Sequence, residues 1–202
     1  IEEIIVNFEF ASRWARELGY DFVEVHAAHG YLINQFLSPL TNQRSDAYGE
    51  DRTLLLRRIT EGCRDNFEGD VIVRISAEEY EAQGLHVDDM QPVVQAIEEA
   101  GAVAISVSSG GLNSSVIEAY PMYQIPYAKK IRSMTSLPVM GVGLITKEAE
   151  IEQLLMEESC DYVLLGRKLL RDPFFLLKWL DHVHMLHEDE IGQCLYRGIH
   201  RK

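Results

Sequence analysis

Cysteine is too scarce and too scattered here for a disulfide framework. The 202 residues hold three, Cys63, Cys160 and Cys194, with no Cys-x-x-Cys pair among them. Such a set fits a reducing compartment, where free thiols act as small hydrophobes. Basic charge is also short: 19 Lys and Arg stand against 32 Asp and Glu, a formal net charge of −13. That balance excludes a nucleic-acid partner, because such binding rests on clustered Lys and Arg neutralising phosphates. Missing too is any run near the roughly 20 apolar residues of a membrane span. The amino terminus lacks the basic-then-apolar order of a secretory signal. The expectation is a cytoplasmic protein with small-molecule partners and no membrane contact.

What the chain does have is apolar strands alternating with amphipathic helices, the pattern of βαβ units in an α/β protein with a parallel sheet. A helix over about 4–18, stopped at Gly19, precedes a strand over 22–27. A long loop through Ser38-Pro39 and Asn42 to Gly49 follows. Helices are then predicted over about 51–66, 87–100, 127–134, 147–158 and 174–187. Strands are predicted over 71–76, 102–107, 138–143 and 162–167, the last two ending in glycines. The apolar continuity of the strands predicts burial on both faces. Five strands are too few for a closed eight-stranded barrel, which needs about 250 residues. Residues 1–202 therefore read as a single partial (β/α)8 TIM-barrel-type domain, its N-terminal strands expected upstream of Ile1. A doubly wound sheet is the topological alternative, although dinucleotide folds carry their Gly-rich turn after the first strand rather than the last ones.

Candidate chemistry gathers at the carboxyl ends of these strands, where barrel enzymes place their active sites. His26, His29 and Tyr31 leave the first strand together. A zinc role for the two histidines has little support: the spacing is not His-Glu-x-x-His, and no Cys or Asp nearby completes a ligand set. As neutral imidazoles they would instead donate to a ligand oxygen, with Tyr31 as proton source. Arg74 interrupts an otherwise apolar strand. A guanidinium there needs an anion or acceptor, either a ligand or an ion pair with a residue such as Glu24. Ser108-Ser109-Gly110-Gly111 is either a simple turn or a set of amides on the functional face. Gly143, Gly166 and Arg167 end the last two strands, where barrel phosphate sites are built, unless those glycines serve only tight turns. The run from Asn42 to Gly49 reads as a polar loop.

Taken together, His26-Ala-Ala-His-Gly-Tyr-Leu, Gln35-Phe-Leu-Ser-Pro-Leu, Asn42-x-Arg-x-Asp-x-Tyr-Gly, Val73-Arg-Ile-Ser, Val107-Ser-Ser-Gly, Gly141-Val-Gly-Leu-Ile and Leu165-Gly-Arg-x-Leu-Leu-Arg-Asp-Pro strongly resemble the old yellow enzyme family of FMN-dependent ene-reductases. The resemblance runs from about Ile4 to Leu180 and corresponds to the barrel from its fourth strand onward. It implies FMN, with NADH or NADPH as reductant, and an activated alkene (enone, enal or nitroalkene) as substrate. By motif, His26 and His29 would bind the substrate's carbonyl or nitro oxygen and Tyr31 would deliver the proton. Arg74 would sit at the flavin N1 and C2 oxygen, Ser108 and Gly110 would contact the cofactor, and Gly143, Gly166 and Arg167 would hold its phosphate. The run Tyr48-Gly49-Glu50-Asp51-Arg52 is shorter than the family's usual form. Of the cysteines only Cys194 falls where larger relatives carry an iron–sulfur segment, so no cluster is expected. A five-stranded remnant is expected to bind FMN weakly or not at all by itself and to pair with another copy or with the missing N-terminal half. Two other readings stay open from the residues alone: a phosphate-binding barrel lyase or isomerase without flavin, and a non-catalytic half-barrel.

Overall fold

Gly19 ends the first helix as its sequence position predicts. At φ +77° it adopts the left-handed conformation that suits glycine, while its amide donates to Arg16 O and the Tyr20 amide to Ala15 O, closing α1 (Glu2–Glu17). The computed structural model describes residues 1–187, 191, 196, 198 and 199; Cys194 lies outside them. After α1 come β1 (Phe22–Ala27), α2 (Leu32–Leu37), α3 (Ala47–Glu50) and α4 (Leu54–Phe67). Next are β2 (Asp70–Ser76), a 3-10 turn at Val87–Asp89, α5 (Gln91–Glu99), β3 (Ala104–Ser108) and α6 (Ile125–Arg132). The remaining named elements are β4 (Val139–Gly141), α7 (Glu148–Met156), β5 (Tyr162–Val163), α8 (Gly166–Arg171) and α9 (Phe175–His182).

All five strands are parallel and lie in the order β1-β2-β3-β4-β5. Each crossover thus steps one place in the same direction, and right-handed crossovers of that kind put every helix on one face. A doubly wound sheet reverses its order at a switch point. No reversal occurs among these strands, so the architecture is the singly wound, barrel-type one.

Strand alternation then divides the residues between two faces. Val25, Ala27, Val71, Val73, Ile75, Ile105, Val107 and Val139 join the helices in one apolar core. There α4 contributes Leu55, Leu56, Ile59, Cys63 and Phe67, all buried, and α1 packs on α4. The opposite face carries the aligned row His26, Arg74, Ser106, Met140 and Tyr162. This corrects the expectation that every strand is buried on both sides. It holds for β3, which is buried throughout, but β1 leaves Phe22 57% exposed at one sheet edge and β5 leaves Tyr162 55% exposed at the other.

Proline explains one boundary that periodicity misplaces. A helix running unbroken from Val87 would hold Pro92 in its interior, where the missing N–H and the ring both destabilise. The chain makes a 3-10 turn at Val87–Asp89 and begins α5 at Gln91, placing Pro92 in the first turn. Pro126 likewise sits in the first turn of α6, which starts at Ile125 and not Tyr127. The predicted long loop contains α3, whose Asp46 caps it by accepting from the Tyr48 amide. Lastly, β4 ends at Gly141 and β5 at Val163. Gly143 therefore lies in a loop, and Gly166 with Arg167 opens α8 where the sequence predicts the end of a strand.

Candidate active site

The turn after β1 fixes the histidine cluster. His29 has φ +57° and Gly30 φ +74°, two successive left-handed residues that reverse the chain within one turn. Four contacts hold that turn. The His29 amide donates to Ser76 Oγ at 3.0 Å, and the Ser76 hydroxyl donates on to Gly110 O at 2.9 Å. The Gly30 amide donates to Asn34 Oδ1 at 2.8 Å, and Gln35 Nε2 donates to Gly30 O at 2.6 Å. The result brings the three residues singled out in the sequence together. The rings of His26 and His29 lie 5.2 Å apart, as do those of His26 and Tyr31. Tyr31 is 63% exposed at the rim.

Both imidazoles are held neutral. Burial, then the Arg74 cation and then His26 push His29 down to about 4. His26 is lowered by burial and by Arg74, with Glu24 opposing. Neutral imidazole offers one N–H donor and one acceptor per ring, so these groups can polarise an oxygen without giving it a proton. No cluster of three or more metal-ligating side chains occurs among the described residues.

Arg74 stands beside His26 in the sheet register. Its Nη1 is 4.0 Å from Glu24 Oε1, at the outer limit of an ion pair, and its Nε is buried with no hydrogen-bond partner. Neither alternative raised from the sequence is complete: Glu24 is present but too far for a hydrogen bond, and the buried N–H still needs an acceptor. Next to it in register, Ser106 Oγ is also buried and unpaired.

From His29 and Arg74 a cavity of about 580 Å³ runs past Ser108, Gly143 and Gln124 to Gly166, Arg167, Lys168 and Arg171. That volume falls within the roughly 300–1,000 Å³ typical of small-molecule sites. In a chain of net charge −13, four cations, Arg74, Arg167, Lys168 and Arg171, line this one cavity, a concentration of positive charge that suits an anion. Lys168 is partly committed, 3.8 Å from Asp172 and stacked 4.1 Å above the Phe175 ring. Arg167 and Arg171 are the freer pair.

The backbone groups of Gly110 are engaged within the fold. The Gly110 amide donates to Glu78 O at 2.7 Å, its carbonyl accepts from Ser76, and the neighbour that reaches the cavity wall is Gly111. Several wall residues were not singled out in the sequence, Lys168, Arg171 and Gln124 among them. Arg171 had a signal, since it lies four residues after Arg167 and shares its helix face. Gln124 had none, because only tertiary folding brings it to Ser108.

A family model described as NADH:flavin oxidoreductase / NADH oxidase matches residues 1–185. The NADPH dehydrogenase of Geobacillus thermodenitrificans (strain NG80-2) is 43% identical over 178 residues, which is 87% of this chain and 52% of that protein. That of Listeria monocytogenes serotype 4a (strain HCC23) is 40% identical over 178 residues, 87% of this chain and 53% of that protein. The chain thus spans about half the length of these curated relatives. Among solved structures, a 2-naphthoyl-CoA reductase complex superposes with TM-score 0.83 at 22% identity, covering 90% of this chain and 29% of that one. The old yellow enzyme homologue from Zymomonas mobilis superposes with TM-score 0.72 at 22% identity, covering 90% and 52%. At such identities the likeness speaks for the fold. The family match reaches from residue 1 to 185 and takes in every residue of the cavity wall, so this chain belongs to the NADH:flavin oxidoreductase / NADH oxidase family, whose members use FMN and a nicotinamide.

Proposed function

We propose that this chain carries the cofactor-holding and substrate-activating groups of an FMN-dependent ene-reductase. One observation supports the reading above others: the buried, unpartnered Nε of Arg74 lies on the same cavity wall as His29 and the Arg167–Arg171 pair. A flavin offers what each end lacks, an electron-rich pyrimidine edge for Arg74 and a phosphate for Arg167 and Arg171. Ser108, Gly143 and Gly166 line the path between, with Gly111 in the place first given to Gly110. When bound, FMN reduced by a nicotinamide supplies the hydride. The names of the relatives favour NADPH as the donor.

The residues of the chain do the rest. His26 and His29, neutral at working pH, donate hydrogen bonds to the carbonyl or nitro oxygen of an enone, enal or nitroalkene. Those bonds strengthen as the oxygen gains charge, which is the condition for catalysis. Tyr31, at the exposed rim next to His26, hands its phenolic proton to the carbon opposite the hydride. Arg74 would hold the cofactor's pyrimidine edge and would supply there a fixed cation that needs no reorganisation. Family membership favours this over a flavin-free lyase or isomerase.

FMN fluorescence titration of the chain tests the reading. Arg74→Met and the double variant Arg167→Met/Arg171→Met are each expected to weaken FMN by tenfold or more, with cyclohexenone reduction by NADPH lost in parallel. Equal affinity in all three proteins, or no FMN binding by the unaltered chain at millimolar cofactor, would overturn it.

A second reading, a half-barrel that pairs with another copy or with a separate N-terminal half, draws on exposed apolar surface. Phe22 and Tyr162 are uncovered at the two sheet edges, and Val6, Phe10, Trp14 and Leu18 form an exposed stripe at four-residue spacing along α1 and its C-cap. Native mass measurement giving a monomer at all concentrations, with that monomer active in alkene reduction, would remove it.

A further inference from the structure

Gln124 is 4% exposed, just ahead of α6, and no motif or proposed catalytic step uses it. Its amide nitrogen lies 3.2 Å from Ser108 Oγ and 2.9 Å from Ser109 Oγ. Ser108 Oγ in turn lies 2.7 Å from His29 Nε2. Gly143 leaves room for the Gln124 main chain and the base of its side chain, since a β-carbon there would press on the Gln124 backbone nitrogen at 3.1 Å and on its Cβ at 3.2 Å. We propose that Gln124 is a positioning residue that sets the tautomer of His29 through Ser108, leaving the proton on Nδ1 as the donor available to a ligand oxygen.

The directions of the hydrogen bonds carry the argument. An amide NH2 has two protons and no acceptor capacity, and Gln124 directs one to each serine. Each hydroxyl thereby fills one lone pair as acceptor and keeps its own proton to give. The Ser109 oxygen is 2.8 Å from Tyr80 OH. Ser108 has His29 Nε2 as its short contact, and donating there makes Nε2 the acceptor. A neutral ring that accepts at Nε2 carries its hydrogen on Nδ1. Had Gln124 presented its carbonyl instead, both serine protons would turn toward it. Ser108 would then accept from Nε2–H, and Nδ1 would point a lone pair at the ligand. One amide orientation, one residue removed from the ligand, decides whether His29 attracts or repels an oxygen.

The tautomer is a property of the chain alone; only its consequence for binding rests on the proposed function. Nitrogen-15 NMR of histidine-labelled full chain separates the two neutral tautomers, and His29→Gln identifies the signals. The unaltered chain is expected to show His29 protonated at Nδ1. Gln124→Glu, observed at mildly alkaline pH where the carboxylate only accepts, is expected to switch it to Nε2. Gln124→Leu, which keeps the bulk and removes both donors, is expected to give a mixture, and it stands in if the glutamate variant does not fold. An Nε2 proton in the unaltered chain, or the same tautomer in all variants, would overturn the inference. Phenol binding is the second readout, expected to fall about tenfold or more when the proton moves, the loss of one good hydrogen bond. A tautomer that switches while phenol affinity stays constant would leave the inference standing and remove His29 from oxygen binding.

Discussion

Gly30 and Gly111 leave no room for a side chain where their two loops meet. A β-carbon on Gly30 would lie 2.3 Å from Gly111 O, and one on Gly111 would lie 2.6 Å from His29 Cα. Both glycines have positive φ, +74° and +91°. The loop after β3 is therefore pressed backbone to backbone against the turn that presents His29.

Gly111→Ala follows from that contact. Nothing flexible can yield, so the expected cost is about 2–4 kcal/mol, read as a lowered urea midpoint. Gly19→Ala is the control: its φ is similar, +77°, but nothing lies within 4 Å, and about 1 kcal/mol is expected. Equal losses at the two positions would show that the contact is not tight.

Glu79 braces the same turn from the other side. It is 1% exposed, and its carboxylate accepts from Ser38 Oγ and the Leu85 amide, each at 2.8 Å, and from Asn34 Nδ2 at 3.3 Å. Asn34 is the residue that holds the Gly30 amide. Glu79→Ala leaves buried donors unmatched and is expected to cost roughly 3 kcal/mol. Denaturant unfolding within about 0.5 kcal/mol of the unaltered chain, the range of an ordinary surface change, would contradict this.

The histidine shift gives a pH dependence with a definite sign. His29 titrates near 4 folded, below the unperturbed value of 6.5, so between those limits the unfolded chain binds the proton and the folded one does not. Its contribution is complete above about 6.5 and drains away as pH falls toward 4. His26 shifts in the same direction. Asp46 and Asp51 are lowered carboxylates whose contributions fade below the ordinary aspartate value of 3.8. His29→Gln should therefore flatten the stability profile over the upper window only. A parallel pair of profiles there would refute the neutral assignment.

Tyr31→Phe separates structure from chemistry. Tyr31 is 63% exposed, so stability should be unchanged. Under the proposed function, stopped-flow traces should show alkene reduction slowed by about 10²–10⁴ with flavin reduction by NADPH spared. Equal slowing of both half-reactions would count against a proton-donor role.

Much of the fold was legible along the chain because its causes are local. The strand over 22–27 and the helix stop at Gly19 were read correctly from apolar runs and one glycine. Boundaries failed where a local rule outranked periodicity: Pro92 delays α5, Asp46 nucleates α3 inside an apparent loop, and glycines that looked like a strand's end at Gly166 open a helix. The clustering of His26, His29 and Tyr31 was readable because they share one strand end. The hydrogen bond from the Gly110 amide to the Glu78 carbonyl was not readable, since whether an amide faces a cavity or a carbonyl depends on where a distant loop lies.

The sequence alone determined the family, the parallel alternation of strands and helices, and which residue types stand at the carboxyl ends of the strands, because each is written in neighbouring residues. Tertiary structure alone decided that Arg74 keeps an unsatisfied buried N–H, that Arg171 joins Arg167 on the cavity wall, and that Gln124 reaches His29 through Ser108. Burial, charge proximity and hydrogen-bond direction are sums over neighbours in space, and those neighbours come from strands and loops far apart in the chain.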